Sequence, residues 1–255
     1  MATLLAQVAG IGWWAPGVPN WPSAAHLLSA DLPWPTDGAP TPAARRLAPN
    51  ERRRAPLAVR IACEVAGQAC SMAGQDPAAL PCVYASMHGD LDITDDLCTT
   101  LADHPLELSP TRFHNSVLNA AVGYWTIATG CQAASTALSA WHGSLASGLL
   151  EAASECLAEQ RPVLMVACDI DGGGALARVL PTSMAHGLAL VLVPPGAAAT
   201  GVTLRVRHAS GAALPAPAEP IALPRQLLAA LACGVTREIA LPAGAAARLD
   251  VTVSP

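Results

Sequence analysis

The chain has 255 residues, 52% of them hydrophobic, and a net charge of −5, which suits one domain, or one with a small appendage, around a substantial core and gives no support for nucleic-acid binding. Charged residues make up only 13%, against ~25% in ordinary soluble proteins, so more of the surface than usual is expected to be apolar, as in a chain whose partner is missing. The eight cysteines, Cys63, Cys70, Cys82, Cys98, Cys131, Cys156, Cys168 and Cys233, form no C-x-x-C pair, a pattern of reduced, buried thiols that speaks against a metal site or a disulfide framework.

The N-terminal run Met1 to Gly17 has no basic region and is broken early by glycines, unlike a secretory signal. The longest apolar helical stretches carry Glu, His or Gly and fall short of the ~20 residues that span a bilayer, so no membrane span and a cytoplasmic location are expected. Residues 3 to 9 read as a strand running into Gly10, Gly12 and Pro16. The Trp- and Pro-rich segment from Trp13 to Pro42 reads mostly as a loop covering the sheet, with a short helix near Ser23 to Ser29. All the basic residues are Arg, which reads as a GC-rich coding bias. Arg45, Arg46, Arg52, Arg53, Arg54 and Arg60 precede and enter an apolar-periodic helix over about 50–72. This cluster is either a docking face for an acidic partner or a solvated helix start with internal salt bridges.

Cys82 to Ser86 reads as a short buried strand ending in Met87-His88-Gly89-Asp90. Asp90, Asp92, Asp95 and Asp96 then open a helix; without the glycine and spacing of a calcium loop, they read as helix capping and dipole complementation. A helix over 116–128, a strand over 135–141 and an Ala/Gly/Ser-rich helix over 143–159 follow. Residues 162–169 form a continuous apolar run, typical of a parallel strand buried on both faces. Asp169 to Gly174 is a turn, since it lacks the Lys-Ser/Thr of a nucleotide-binding loop. Strands at 184–193, 202–208 and 248–253 and a short helix at 224–232 complete the reading.

One stretch carries more than secondary structure. From Phe113 to Ala152 the sequence places Asn119, Ala120, Ala121 and Gly123 in a helix, then Gly130, then a strand leading to Trp141-His142 before the small-residue helix. This order and spacing resembles the β-ketoacyl synthases (condensing enzymes) of the thiolase superfamily. The resemblance covers roughly residues 3 to 210 and is strongest from Leu47 to Asp169. It implies an α/β thiolase-like (condensing-enzyme) fold truncated to about one half, a mixed sheet flanked by helices. Residues 1–210 would be the β-ketoacyl synthase N-terminal-like domain and 211–255 a C-terminal extension packing on the same domain.

Laid on the family pattern without gaps, the nucleophilic cysteine falls on His142. The family holds that cysteine at a helix N-terminus, where N–H groups and the dipole favour thiolate. An imidazole gains nothing there as a cation, and an acyl-imidazole hydrolyses too readily to store an acyl chain, so His142 is expected to fill a vestigial pocket. The family's two second-half catalytic histidines, in His-Gly-Thr-Gly-Thr and Asn-x-His motifs, have no counterpart after Ala189.

The short length and lost cysteine look like chain-length-factor-type ketosynthase subunits of aryl polyene and related pigment pathways. The resemblance then implies a non-catalytic subunit, with no cofactor and no metal, that pairs with a catalytic ketosynthase and shapes its acyl tunnel. An acyl carrier protein would dock at Arg45, Arg46, Arg52, Arg53 and Arg54. The family's subunit interface is built around the region matching 109–140. By position, Arg112, Phe113, His114, Val117 and Leu118 would meet the partner's pocket, and Met87, Trp141 and His142 would border this subunit's own. Phe113, the only phenylalanine, would either stop the tunnel or simply pack in the core or interface. Half a thiolase fold cannot cover the 143–159 helix on both sides, so the C-terminal segment or another chain is expected to do so. Two other functions stay open: a stand-alone acyl or carrier-protein binding module, and an acyltransferase using Cys131, whose neighbours supply no base or cation.

Overall fold

In a computed structural model that describes residues 3–35, 41–178, 180, 184–197, 201–211 and 214–255, the elements run β1 (Thr3–Trp14), α1 (Trp21–Ser29), α2 (Pro49–Arg54), α3 (Leu57–Ala73), β2 (Cys82–Ala85), α4 (Leu91–Asp103), α5 (Pro110–Ser116), α6 (Ala120–Thr129), β3 (Ser135–Leu138), α7 (Ser144–Glu159), β4 (Val163–Asp169), β5 (His186–Val193), β6 (Thr203–Ser210), α8 (Ala222–Ala232), β7 (Arg237–Pro242) and β8 (Ala247–Ser254). Met1, Ala2 and the 36–40 part of the Trp/Pro segment lie outside the described residues. The strands form one mixed sheet in the order β3-β2-β4-β5-β1-β6-β8-β7. β2 pairs in parallel with β3 and β4, and every other pairing is antiparallel. No helix among the described residues is long and apolar enough to cross a membrane.

Each face of the sheet has its own core. Alternating side chains of the strands meet α7, α1 and α8 on one side, around Trp13, Leu149, Leu190, Leu227 and Leu228. On the other side they meet α3 and α6, around Ile61, Val65, Tyr84, Trp125 and Leu164. β4 and β5 are buried almost throughout, as their continuous apolar runs require of central strands. The C-terminal segment extends the sheet through β8 and β7 and sets α8 beside α1, rather than forming a further layer over α7. On the α3 side no helix among the described residues packs over β6, β8 and β7, and that face carries the Arg207–Asp250 and Arg248–Asp250 ion pairs.

Close approach explains the first departure from the sequence reading. β1 does not stop before Gly10; it runs to Trp14, and both Trp13 and Trp14 are core residues rather than parts of a covering loop. The glycines are there because α3 crosses the strand in contact with its backbone. A Cβ at Gly10 would lie 2.1 Å from Ala69 O, one at Gly12 2.0 Å from Val65 O, and one at Gly187 2.5 Å from Ile61 Cγ2.

The helix expected over 50–72 is broken into α2 and α3, because Pro56 forces the preceding residue into extended backbone. The helix expected over 116–128 starts later, as α6 at Ala120; Ser116 ends a separate helix, α5, and extended Val117 lies between the two. β3 ends at Leu138, not Trp141, and a 3-10 turn at Trp141–Gly143 precedes α7. β7, bearing Arg237 and Glu238, was not legible as a strand. The acidic run does more than expected. Asp90 caps α4, accepting from Ile93 N at 3.0 Å, and Asp92 lies in its first turn, as the capping and dipole reading requires; but Asp92 and Asp95 also accept backbone N–H groups of the glycine turn after β4, and Asp96 pairs with Arg112.

Candidate functional site

The residues around His142 are held by a strained turn. Trp141 has φ +55°, in the left-handed region that costs a non-glycine residue about 1 kcal/mol or more. Ser144 Oγ accepts from Ala140 N at 2.9 Å and lies 2.8 Å from Trp141 O. Ser139 Oγ donates to Met87 O at 2.8 Å, which ties this elbow to the turn after β2. That turn hangs in its own right from Asp169, whose Oδ1 accepts from Ser86 Oγ at 2.9 Å and Met87 N at 2.6 Å.

Burial dominates the electrostatics of the site. Burial pushes the Asp169 carboxyl above its ordinary value, opposed by His186 and by the two hydrogen bonds. Burial pushes His186 down, with the Asp169 charge opposing; its ring stacks on Trp13 at 6.2 Å between centroids and its Nδ1 lies 2.9 Å from Met184 O. Partial burial, then neighbouring His88, lowers His142, so its imidazole is neutral at pH 7. His142 Nδ1 is buried without a hydrogen-bond partner. Trp141 stands edge-on to both His88 and His142, at 5.4 and 5.5 Å.

Met87, Trp141 and His142 thus share one site, but it is closed. Pro220, Leu223 and Pro224 of the C-terminal segment line it, and the space left is about 20 Å³, room for about one water. Among the described residues no cysteine lines this space, and the hydroxyls of Ser139 and Ser144 are engaged with backbone groups.

Arg112, Phe113, His114 and Val117 lie elsewhere, on the outside of α5 and the bend after it. Phe113 is 64% exposed and Val117 45%; His114 is exposed beside Tyr124, and Arg112 pairs with Asp96 at 3.0 Å. Leu118 bridges the two groups, half-buried against Gly89 in a gap of about 10 Å³. Ile127 on α6, 79% exposed, and Trp141, 45% exposed, add to the outward apolar set.

β3 forms one edge of the sheet, with no other strand paired to its outer side among the described residues. The other edge, β7, is defended by Arg237, Glu238 and Pro242. β3 has no such defence, and no Asp, Glu, Lys or Arg occurs between Arg112 and Glu151. An edge strand without charge, proline or cover is what soluble chains avoid unless another chain pairs with it. This charge-free run is the signal that sequence reasoning passed over.

The arginine cluster divides. Arg53 bonds Asn50 and Arg54 pairs with Glu51, both within α2. Arg45, Arg46 and Arg52 instead line one wall of a groove of about 410 Å³ whose other wall is His114, Tyr124, Ile127 and Ala128. Cys131 is buried and donates Sγ–H to Leu80 O at 3.3 Å. Burial pushes the nearby Cys70 thiol up to about 12 and Cys82 up further. Among the described residues no three His, Cys, Asp or Glu side chains group to hold a metal ion.

A sequence model of the β-ketoacyl synthase N-terminal domain matches residues 23–236. The chain belongs to the β-ketoacyl synthase family. No curated protein matches it. Among solved structures, it is similar to a chain of the ketosynthase (ApeO) in complex with its chain length factor (ApeC) from Xenorhabdus doucetiae, at 24% identity and TM-score 0.78, covering 98% of this chain and 99% of that one. The ishigamide ketosynthase/chain length factor gives 13% identity and TM-score 0.72 over the same shares. A β-ketoacyl synthase from Burkholderia phymatum gives 13% and 0.65, with 91% of this chain covering 70% of that one. These likenesses establish the thiolase-like ketosynthase fold, a single mixed sheet flanked by helices.

Proposed function

We propose that this chain is a non-catalytic, chain-length-factor-like subunit that pairs in the cytoplasm with a catalytic β-ketoacyl-carrier-protein synthase and shapes the far end of its acyl tunnel in aryl polyene-type biosynthesis. The observation that carries this reading is the undefended edge β3 within a sequence run free of charged residues, with Phe113, Val117, Ile127 and Trp141 exposed. Such a face suits a large subunit interface with an apolar centre. Two structural relatives are ketosynthase/chain length factor assemblies by name, which supports the same partner here.

The closed site favours this reading over a stand-alone acyl-binding module, because a void of about 20 Å³ admits no acyl chain. Cys131 likewise does not suit a relocated nucleophile, since its Sγ–H is buried and hydrogen-bonded to the Leu80 carbonyl. Residues 1–210 would carry the partner face, and the segment after them would close the vestigial site. An acidic carrier protein would use the groove wall of Arg45, Arg46 and Arg52, with Arg53 and Arg54 at its margin.

The test is reconstituted condensation with and without this chain. Full-length polyene is expected only when the chain is present, and Phe113→Ala in an intact heterodimer should lengthen or broaden the product distribution. Condensation that proceeds unchanged without the chain would refute the proposal.

A further inference from the structure

α4, the 3-10 turn at Pro105–Glu107 and α5 form an arm that hydrophobic packing scarcely secures. Not one residue from Cys98 to His114 is buried. Its root is held by Leu91, Ile93 and Leu97, and its far end by Asn115. An arm with so little buried apolar surface takes its position from its polar contacts and opens locally at low cost.

Those contacts converge on the glycine turn after β4. Asp92 Oδ1 accepts from Gly173 N at 2.6 Å and Asp95 Oδ1 from Ala175 N at 3.0 Å, each across about eighty residues of sequence. The turn is shaped for them. A Cβ at Gly172 would sit 2.7 Å from Leu91 Cβ, and Gly174, at φ +67°, would place one 1.9 Å from Asp95 Oδ2. Asp96 adds its bridge to Arg112 on α5. Helix capping does not account for these acids, because Asp90 already fills the N-cap. Backbone N–H bonds to a carboxylate are among the stronger hydrogen bonds.

We propose that Asp92 and Asp95, clasped on the Gly172–Ala175 turn, are positioning residues that set the angle of α5 and so place Phe113 against the partner subunit. The inference rests on the chain-length reading above and deepens it: product length depends on a clasp remote from the tunnel itself. Neither aspartate touches substrate.

The test uses the co-purified heterodimer with Asp92→Asn and Asp95→Asn combined, and separately Gly174→Ala, which breaks the clasp from the turn side should the first variant fail to accumulate. Hydrogen exchange over residues 98–116 is expected to quicken by about ten-fold, the effect of losing charge-assisted bonds, while α7 and β4 keep their protection. Product length should broaden in the same intact heterodimer. Unchanged exchange in the arm, or an unchanged product distribution from an intact heterodimer, would overturn the clasp. If the wild-type chain never pairs with a ketosynthase, the chain-length reading fails, and exchange measured on the chain alone still decides whether the clasp holds the arm.

Discussion

In the proposed reading His142 stands in the column of the family's nucleophile and only fills space there. Its Nδ1 has no partner to orient or activate the ring, and burial with His88 alongside keeps it neutral. His142→Ala is expected to leave condensation by the heterodimer within about two-fold, as for substitutions away from special features; loss of activity from an assembled complex would show a role in chemistry. His186 is the stronger influence on stability. Its folded pKa lies below the unfolded value of 6.5, so the folded state binds fewer protons, and stability is full above about pH 6.5 and falls as pH drops below it. Asp169, raised from 3.8 by burial, acts with the opposite sign, its contribution fading as pH rises through its folded value. Thermal melts between about pH 7.5 and 5 should therefore fall more steeply for wild type than for His186→Gln. The sequence singles out His142 only through the family resemblance, which supplies a column for it. The Asp169 and His186 pair could not, since only the β4–β5 register brings the two together.

At the scale of elements, α3 on β1 shows what periodicity conveys and what it conceals. The apolar stripe of α3 was legible, but Gly10 and Gly12 read as the end of a strand when they are where the strand passes beneath a helix. Glycine signals both situations, and only the neighbour across the sheet decides between them. Gly12→Val should cost about 3 kcal/mol by overpacking, or roughly 10 °C in Tm for a chain of this size, measured by calorimetry; an unchanged Tm would mean that α3 does not cross there. The breaks at Pro56 and Val117 also follow local rules. Pro56 marks its break in the sequence, whereas no proline or glycine marks the bend at Val117 between α5 and α6.

The whole molecule is asymmetric. One sheet edge ends in Arg237, Glu238 and Pro242, the other in Ser135–Leu138 amid a run without charge. Low overall charge predicted an apolar face, but its location needed the strand order, because β3 is short and nothing in its four residues says that it stands at an edge. Ile127→Arg should leave unfolding of the isolated chain within about 0.5 kcal/mol, as for an exposed site, yet prevent association with the ketosynthase. The most direct test of the account is the molar mass of this 25.9 kDa chain when co-expressed and co-purified with a catalytic ketosynthase from the same source. The account predicts a stable complex of one copy of each, or that pair doubled. A well-behaved monomer or homodimer that leaves the ketosynthase behind would contradict it.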